Sequence, residues 1–310
     1  LCALELLWLG SRIYRFDRAG ALFPPTPATA FLRDQPGTFR VAGAGAAMFP
    51  GTAAFAGIEE IRTHDPLERR DYVALLDEAA GYPRSAYFKM LHNLDAPLLD
   101  FLNVRYVVAD PGSAAPSVRW RTAYTGDDAA IFESPSALPR VFAPRRVTWI
   151  DAPAPEPAVS DAFPRFGDAA RAIAANSDFR ERAWVAGPGP PVEPRPIEVV
   201  DYVESVTRAA FRLEPPRRDG EGLLVASLLQ DGGWRAHDER GRRLATALAN
   251  GPFLAIRVPA DVSGVRLTYA PPGFRTGALV SLLTALVLAG IRARQLRRTD
   301  TPGNRFADPR

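Results

Sequence analysis

The most suggestive chemistry-bearing stretch is Trp234-Arg235-Ala236-His237, which follows the turn residues Asp231-Gly232-Gly233. An aromatic ring beside a glycine-rich turn can stack on a sugar face, with Arg235 or His237 supplying hydrogen bonds. The simpler reading gives Trp234 to a hydrophobic core, because buried aromatics dominate core energetics. Arg62 and Asp65 form a second candidate, a charge pair within one loop. Such a pair more simply fixes its loop, since exposed ion pairs contribute only about 0–1 kcal/mol. These five residues are the candidate binding positions; no catalytic residue, metal ligand or cofactor is assigned. His64, His92 and His237 are scattered without a paired carboxylate pattern, and Cys2 is the sole cysteine, which excludes an intrachain disulfide or a thiolate cluster. Gly43-Ala44-Gly45-Ala46-Ala47 lacks the spacing of a phosphate-binding loop and reads as an ordinary loop. Asp127-Asp128 reads as a solvated turn pair rather than a metal site.

The elements that must position these residues form an α+β chain. A mixed α/β region is expected over 11–186, a linker over 187–196, and a small antiparallel β-sandwich over 197–272. In the first region, 67–80, 97–102 and 167–175 carry helical patterns, and 103–109 reads as a buried strand. Val118, Trp120, Thr122 and Tyr124 alternate with wetter residues and return through 129–133, the pattern of a hairpin. Short strands are also expected at 39–42, 141–142, 146–150 and 183–185. The proline-rich stretch 23–27 reads as an extended connection. The linker GPGPPVEPRP holds five Pro and two Gly in ten residues, the strongest break in the chain. Beyond it six strands are expected: 197–203, 207–213, 222–228, 234–237, 253–258 and 265–269.

The last strand leads into an apolar helix expected over 273–292. Between Arg275 and Arg292 lie 16 consecutive uncharged residues. They give about 24 Å of helix against a hydrocarbon core of roughly 30 Å. The shortfall is tolerable if the flanking arginines snorkel. A buried helix of a soluble domain has the same length, so the flanks decide. Arg292, Arg294, Arg297 and Arg298 supply the cationic excess of a cytoplasmic flank, which makes 293–310 a basic cytoplasmic tail and puts the rest outside the cytoplasm. Residues 1–10, apolar apart from Glu5, read as the end of a preceding membrane helix. The net charge of +3 lies largely in the arginine-rich tail, so no nucleic-acid partner is expected.

Several stretches together resemble the YfhO family of bacterial polytopic membrane proteins. They are Leu102-Asn103-Val104-Arg105-Tyr106-Val107-Val108, Leu138-Pro139-Arg140-Val141-Phe142, Gly233-Trp234-Arg235-Ala236 and Leu267-Thr268-Tyr269-Ala270-Pro271-Pro272-Gly273-Phe274. Glu59-Glu60-Ile61-Arg62-Thr63-His64-Asp65-Pro66-Leu67 is similar more loosely. Asp231-Gly232-Gly233 departs from the Pro-Gly pair expected before Trp234, and no Asn follows Pro50. The resemblance implies the extracytoplasmic C-terminal part of a glycosyltransferase-like protein of the bacterial cytoplasmic membrane, one that uses a lipid-linked sugar donor. Its acidic catalytic residue would lie in an early outer loop not represented here. This part would then bind an envelope glycan acceptor or brace the membrane region. A non-enzymatic, membrane-anchored envelope protein with a carbohydrate- or protein-binding sandwich is the alternative.

Overall fold

The computed structural model describes residues 2–13, 23–65, 67–84, 86–150, 169–189, 196–214 and 220–299, with the side chains of 295–299 excepted. The first half contributes α1 (Cys2–Ile13), α2 (Pro27–Arg33), β1 (Arg40–Gly43), α3 (Arg70–Ala80), α4 (Pro97–Phe101), β2 (Val104–Ala109), β3 (Arg121–Thr125) and β4 (Ala130–Glu133). Then follow β5 (Val141–Phe142), β6 (Arg146–Ile150), α5 (Ala169–Ala174), β7 (Arg182–Ala186), β8 (Glu198–Ser205) and β9 (Arg208–Glu214). The chain continues through β10 (Gly222–Leu229), β11 (Trp234–Asp238), β12 (Arg243–Leu244), β13 (Thr246–Ala249), β14 (Phe253–Val258), β15 (Gly264–Tyr269) and α6 (Phe274–Thr299).

These elements stack in layers. A four-stranded sheet runs β1-β2-β4-β3, with β1 parallel to β2. Its alternating residues face two ways. Val41, Tyr106, Val108 and Ile131 pack with Ala28 and Leu32 of α2, while Ala42, Val107, Ala130 and Phe132 pack toward α3, α4 and α5. The far side of that helical layer meets a six-stranded sheet, β5-β10-β14-β13-β7-β6. Leu223, Val225, Phe253 and Ala255 of this sheet join the helices, and Leu224, Ala226, Leu254 and Ile256 point the other way. There they meet Ala209, Phe211, Ala236, Val265 and Leu267 of a five-stranded sheet, β12-β11-β15-β9-β8. The six-stranded sheet is therefore covered on both faces, which explains why β10 reads as a continuous apolar run, GLLVASLL.

The sandwich is present, but the break expected at 187–196 does not separate two sheets. Strands β5, β6 and β7, which precede it, lie in the same sheet as β10, β13 and β14, which follow it. Asn250, buried with φ 46°, closes this seam: its backbone N–H donates to Trp184 O at 2.8 Å and its side-chain Oδ1 accepts from Trp184 N at 3.0 Å. Phe101 sits at the junction, with its ring 4.8 Å from Phe253, 4.9 Å from Phe179 and 6.1 Å from Phe142. A proline-rich segment marks a chain break in sequence without marking a break in the core.

Other differences are local. Pro27 opens α2 rather than prolonging an extended run, because Thr26 and Thr29 cap the helix reciprocally. Val118 is fully exposed and β3 begins only at Arg121, so the apolar face expected from 118 to 124 is cut short. The sandwich also holds β12 and β13, which no β-branched run announced. Asp128 is more than a solvated turn residue: its Oδ2 accepts from Ala28 N at 2.7 Å in the first turn of α2.

α1 buries none of its residues. α6 continues to Thr299, so the first part of the expected tail is helical; 300–310 lie outside the described residues. Its segment Phe274–Arg294 is long and apolar enough to cross a membrane, with none of that stretch buried against the rest of the protein. Leu279, Leu282, Leu283, Leu286, Val287 and Leu288 are all more than half exposed. A core helix of a soluble domain would hide such a surface; this one presents it on every side, which points to membrane anchoring.

Candidate functional site

The candidate site is a cleft of about 1050 Å³. One wall comes from α2, the approach to β1 and the loop around Glu59; the other comes from the ends of β8, β10, β11 and β15. Its polar lining includes Arg40, Glu59, Arg69, Glu204 and Asp231, and its aromatic lining includes Trp234 and Tyr269.

Strand register builds the aromatic wall. Trp234 and Tyr269 are direct partners across β11 and β15, and their rings lie 5.2 Å apart. Tyr269 donates its hydroxyl to Asp231 Oδ2 at 2.7 Å, while Asp231 Oδ1 accepts from Gly233 N at 2.8 Å. Burial and then the Asp231 carboxylate push the Tyr269 phenol up to about 12, so it stays a protonated donor. Gly233 is required by this packing: a Cβ there would stand 2.5 Å from Tyr269 Cε2 and 2.9 Å from Ala270 O.

The floor is an ionic network. Arg140 is almost wholly buried, with Nη2 2.9 Å from Glu59 Oε2 and Nε 3.4 Å from Glu204 Oε2. These are ion pairs without hydrogen-bond alignment, and Nε, Nη1 and Nη2 have no hydrogen-bond partner among the described residues. Arg40 sits beside it, with Nε 3.3 Å from Glu59 and Nη1 donating to Leu102 O at 3.0 Å and Ser227 Oγ at 3.2 Å. Burial, and then the neighbouring Arg140 charge, lower the Arg40 guanidinium to about 10. Glu204 also accepts from the Tyr202 hydroxyl at 2.9 Å. On the outer wall Arg69 holds buried Asp71 through two nitrogens, at 2.5 and 3.1 Å, and its Nη1 is buried without a partner.

Of the five residues singled out from sequence, only Trp234 lines this cleft. It is also packed against the sandwich core, so it serves both roles considered for it. Arg235 and His237 cannot assist it from the same face: side chains alternate along β11, which turns them away from Trp234 and Ala236. Arg62 does not pair with Asp65. Its Nε meets Glu60 Oε1 at 2.5 Å, and its other nitrogens donate to the carbonyls of Gly45, Ala47 and Met48. It thus clamps the 43–48 loop, while Asp65 accepts from Leu67 N at 2.8 Å. Burial raises the Glu60 carboxyl despite the Arg62 charge. Among the described residues no His, Cys, Asp or Glu cluster suits a metal ion.

The residues that reading the sequence passed over are Arg40, Glu59, Arg140 and Glu204. A signal existed for two of them: Arg40 lies between Phe39 and Val41, and Arg140 directly precedes Val141-Phe142. A charge entering a buried strand needs a partner.

Comparison with known proteins adds nothing to this. No family model, curated protein or solved structure matches the chain.

Proposed function

We propose that this chain is the extracytoplasmic, membrane-tethered part of a polytopic envelope protein resembling lipid-linked-sugar glycosyltransferases, and that the cleft is its ligand-binding face. The exposed apolar surface of α6 carries the membrane half of this reading. Tyr269 is five residues from Phe274, where that helix starts, so the aromatic wall lies within about 18 Å of it. A ligand held there would be close to the bilayer, as suits an accessory region serving a membrane-embedded transferase. The resemblance adds support, since Glu59, Arg140, Trp234 and Tyr269 come from four of its five stretches and meet at this cleft.

One observation favours a binding role for this region over chemistry of its own. Glu59 and Glu204 are both paired with Arg140, which suits fixed hydrogen-bond acceptors better than proton-transfer groups. A non-enzymatic, anchored envelope protein that binds carbohydrate draws on the same feature.

Flotation on phospholipid vesicles tests the reading. The full chain is expected to float and to resist alkaline carbonate, whereas a chain running from Phe23 to Pro272, without α1 and α6, is expected to stay in solution and fold. A full chain that remains soluble, or a truncated one that loses its fold, would make α6 part of the core instead.

A further inference from the structure

We propose that the cleft takes an uncharged saccharide segment, stacked on the Trp234–Tyr269 wall and hydrogen-bonded to Glu59. This rests on the reading of the cleft as the chain's ligand-binding face, and it names the ligand class. The lining carries Arg33, Arg40 and Arg69 against Glu59, Glu204 and Asp231, so opposite charges are balanced and no net field selects an anion or a cation. Two of these three cations are also committed, while Arg33 is exposed at the end of α2. Arg40 is held by Glu59, Leu102 O and Ser227, and two nitrogens of Arg69 are held by Asp71. A phosphate or carboxylate placed beside Glu59 and Glu204 would meet the repulsion of both, with the adjacent guanidinium, Arg40, already held.

Hydroxyl groups fit both halves of the lining, because each can donate to a carboxylate and accept from a guanidinium. The half-exposed Glu59 carboxylate offers acceptor capacity toward the opening, and exposed Arg33 in the lining offers donors. Arg140, nearly solvent-free behind Glu59 and Glu204, acts as a positioning residue that holds the two carboxylates in place. The cleft lies at the top of the ~300–1,000 Å³ range of small-molecule sites, which gives room for more than one sugar ring.

The test uses the full chain in phosphatidylcholine nanodiscs, free of sugar-based detergent, on an array of neutral and anionic bacterial polysaccharides and oligosaccharides. Binding to neutral members is expected, weakened about tenfold or more by both Trp234→Leu and Glu59→Gln and unchanged by Asp261→Asn on a distant corner of the sandwich. Binding confined to anionic members, binding indifferent to both cleft variants, or silence across the array overturns the proposal. Failure of flotation with glycan binding intact would sink the membrane reading and leave this one standing.

Discussion

Two ionic networks in the same body are built to opposite rules. At the corner between β11 and β15, Asp238 is fully buried and every contact is aligned: Oδ1 accepts from Arg240 N at 2.9 Å and Arg242 N at 2.7 Å, and Oδ2 accepts from Arg242 Nε at 2.5 Å. Arg242 then reaches Asp261 at 2.7 Å. The bonds to Asp238 come from one stretch of local chain, and Asp261 lies 19 residues beyond Arg242. Behind the cleft, Arg140 is equally buried, yet it meets two carboxylates from distant segments and aligns with neither. The lesson is that a satisfied network ties a turn to its sheet, whereas one left with spare donors behind an open cleft holds its carboxylates in place for something else.

The largest effect should come from breaking the cleft network. Replacing Arg140 with Met strips the counter-charge from Glu204, a mostly buried carboxylate, and should cost about 3–5 kcal/mol in urea unfolding. A cost below about 1 kcal/mol would show that the unaligned pairs matter little.

Next comes Gly233→Ala, which drives a methyl into the Tyr269 ring and Ala270 O and should destabilise by about 1–3 kcal/mol. Its signature is a changed tyrosine near-UV band, reporting the displaced Tyr269; an unaltered band would put the strain elsewhere.

The corner predicts a pH effect of definite sign. Burial opposes ionisation of Asp238, but hydrogen bonds from Arg242 and the backbone outweigh it and hold the carboxyl below its usual 3.8. Asp261, bonded to Arg242, is lowered as well. The unfolded chain therefore takes up these protons first as acid is added, so the stabilisation is present above about pH 4 and is lost as pH falls through the folded values. Thermal unfolding followed from pH 6 to pH 2 should lose part of its acid slope in Asp238→Asn. An equally steep slope would assign acid sensitivity to other carboxylates. Glu60 and Asp100 act with the opposite sign, because burial raises both.

The smallest effect calibrates the rest. Arg84 and Asp77 pair at 2.9 Å on the surface, and Arg84→Ala should move stability by less than about 0.5 kcal/mol.

How far these regions were legible from sequence follows from how local they are. The apolar runs of β10 and β14, the helix at 70–80 and the apolar run of α6 are written in short windows, and so are the turn residues around Asp238. The shared sheet was not, because β6 and β7 join β13 across a segment whose prolines suggest a boundary; pairing over such distances leaves no local trace. The cleft was legible only in part. Trp234 stands out by type beside its glycines, but Tyr269 joins it through strand register, and Arg40, Glu59, Arg140 and Glu204 meet only after three sheets have stacked. Arg62 and Asp65 misled because nearness in sequence favoured them, while Glu60 lay nearer still and on the buried side of the loop.

The most direct test of the contrast between the two networks measures Glu59→Gln and Asp238→Asn side by side, each for thermal unfolding at neutral pH and for binding on the glycan array. The account predicts that Glu59→Gln loses binding in a protein that still folds, with a lowered melting temperature because buried Arg140 and Arg40 lose a counter-charge, and that Asp238→Asn lowers the melting temperature while binding persists. Glycan binding that survives Glu59→Gln, or that is lost in a folded Asp238→Asn, would contradict it.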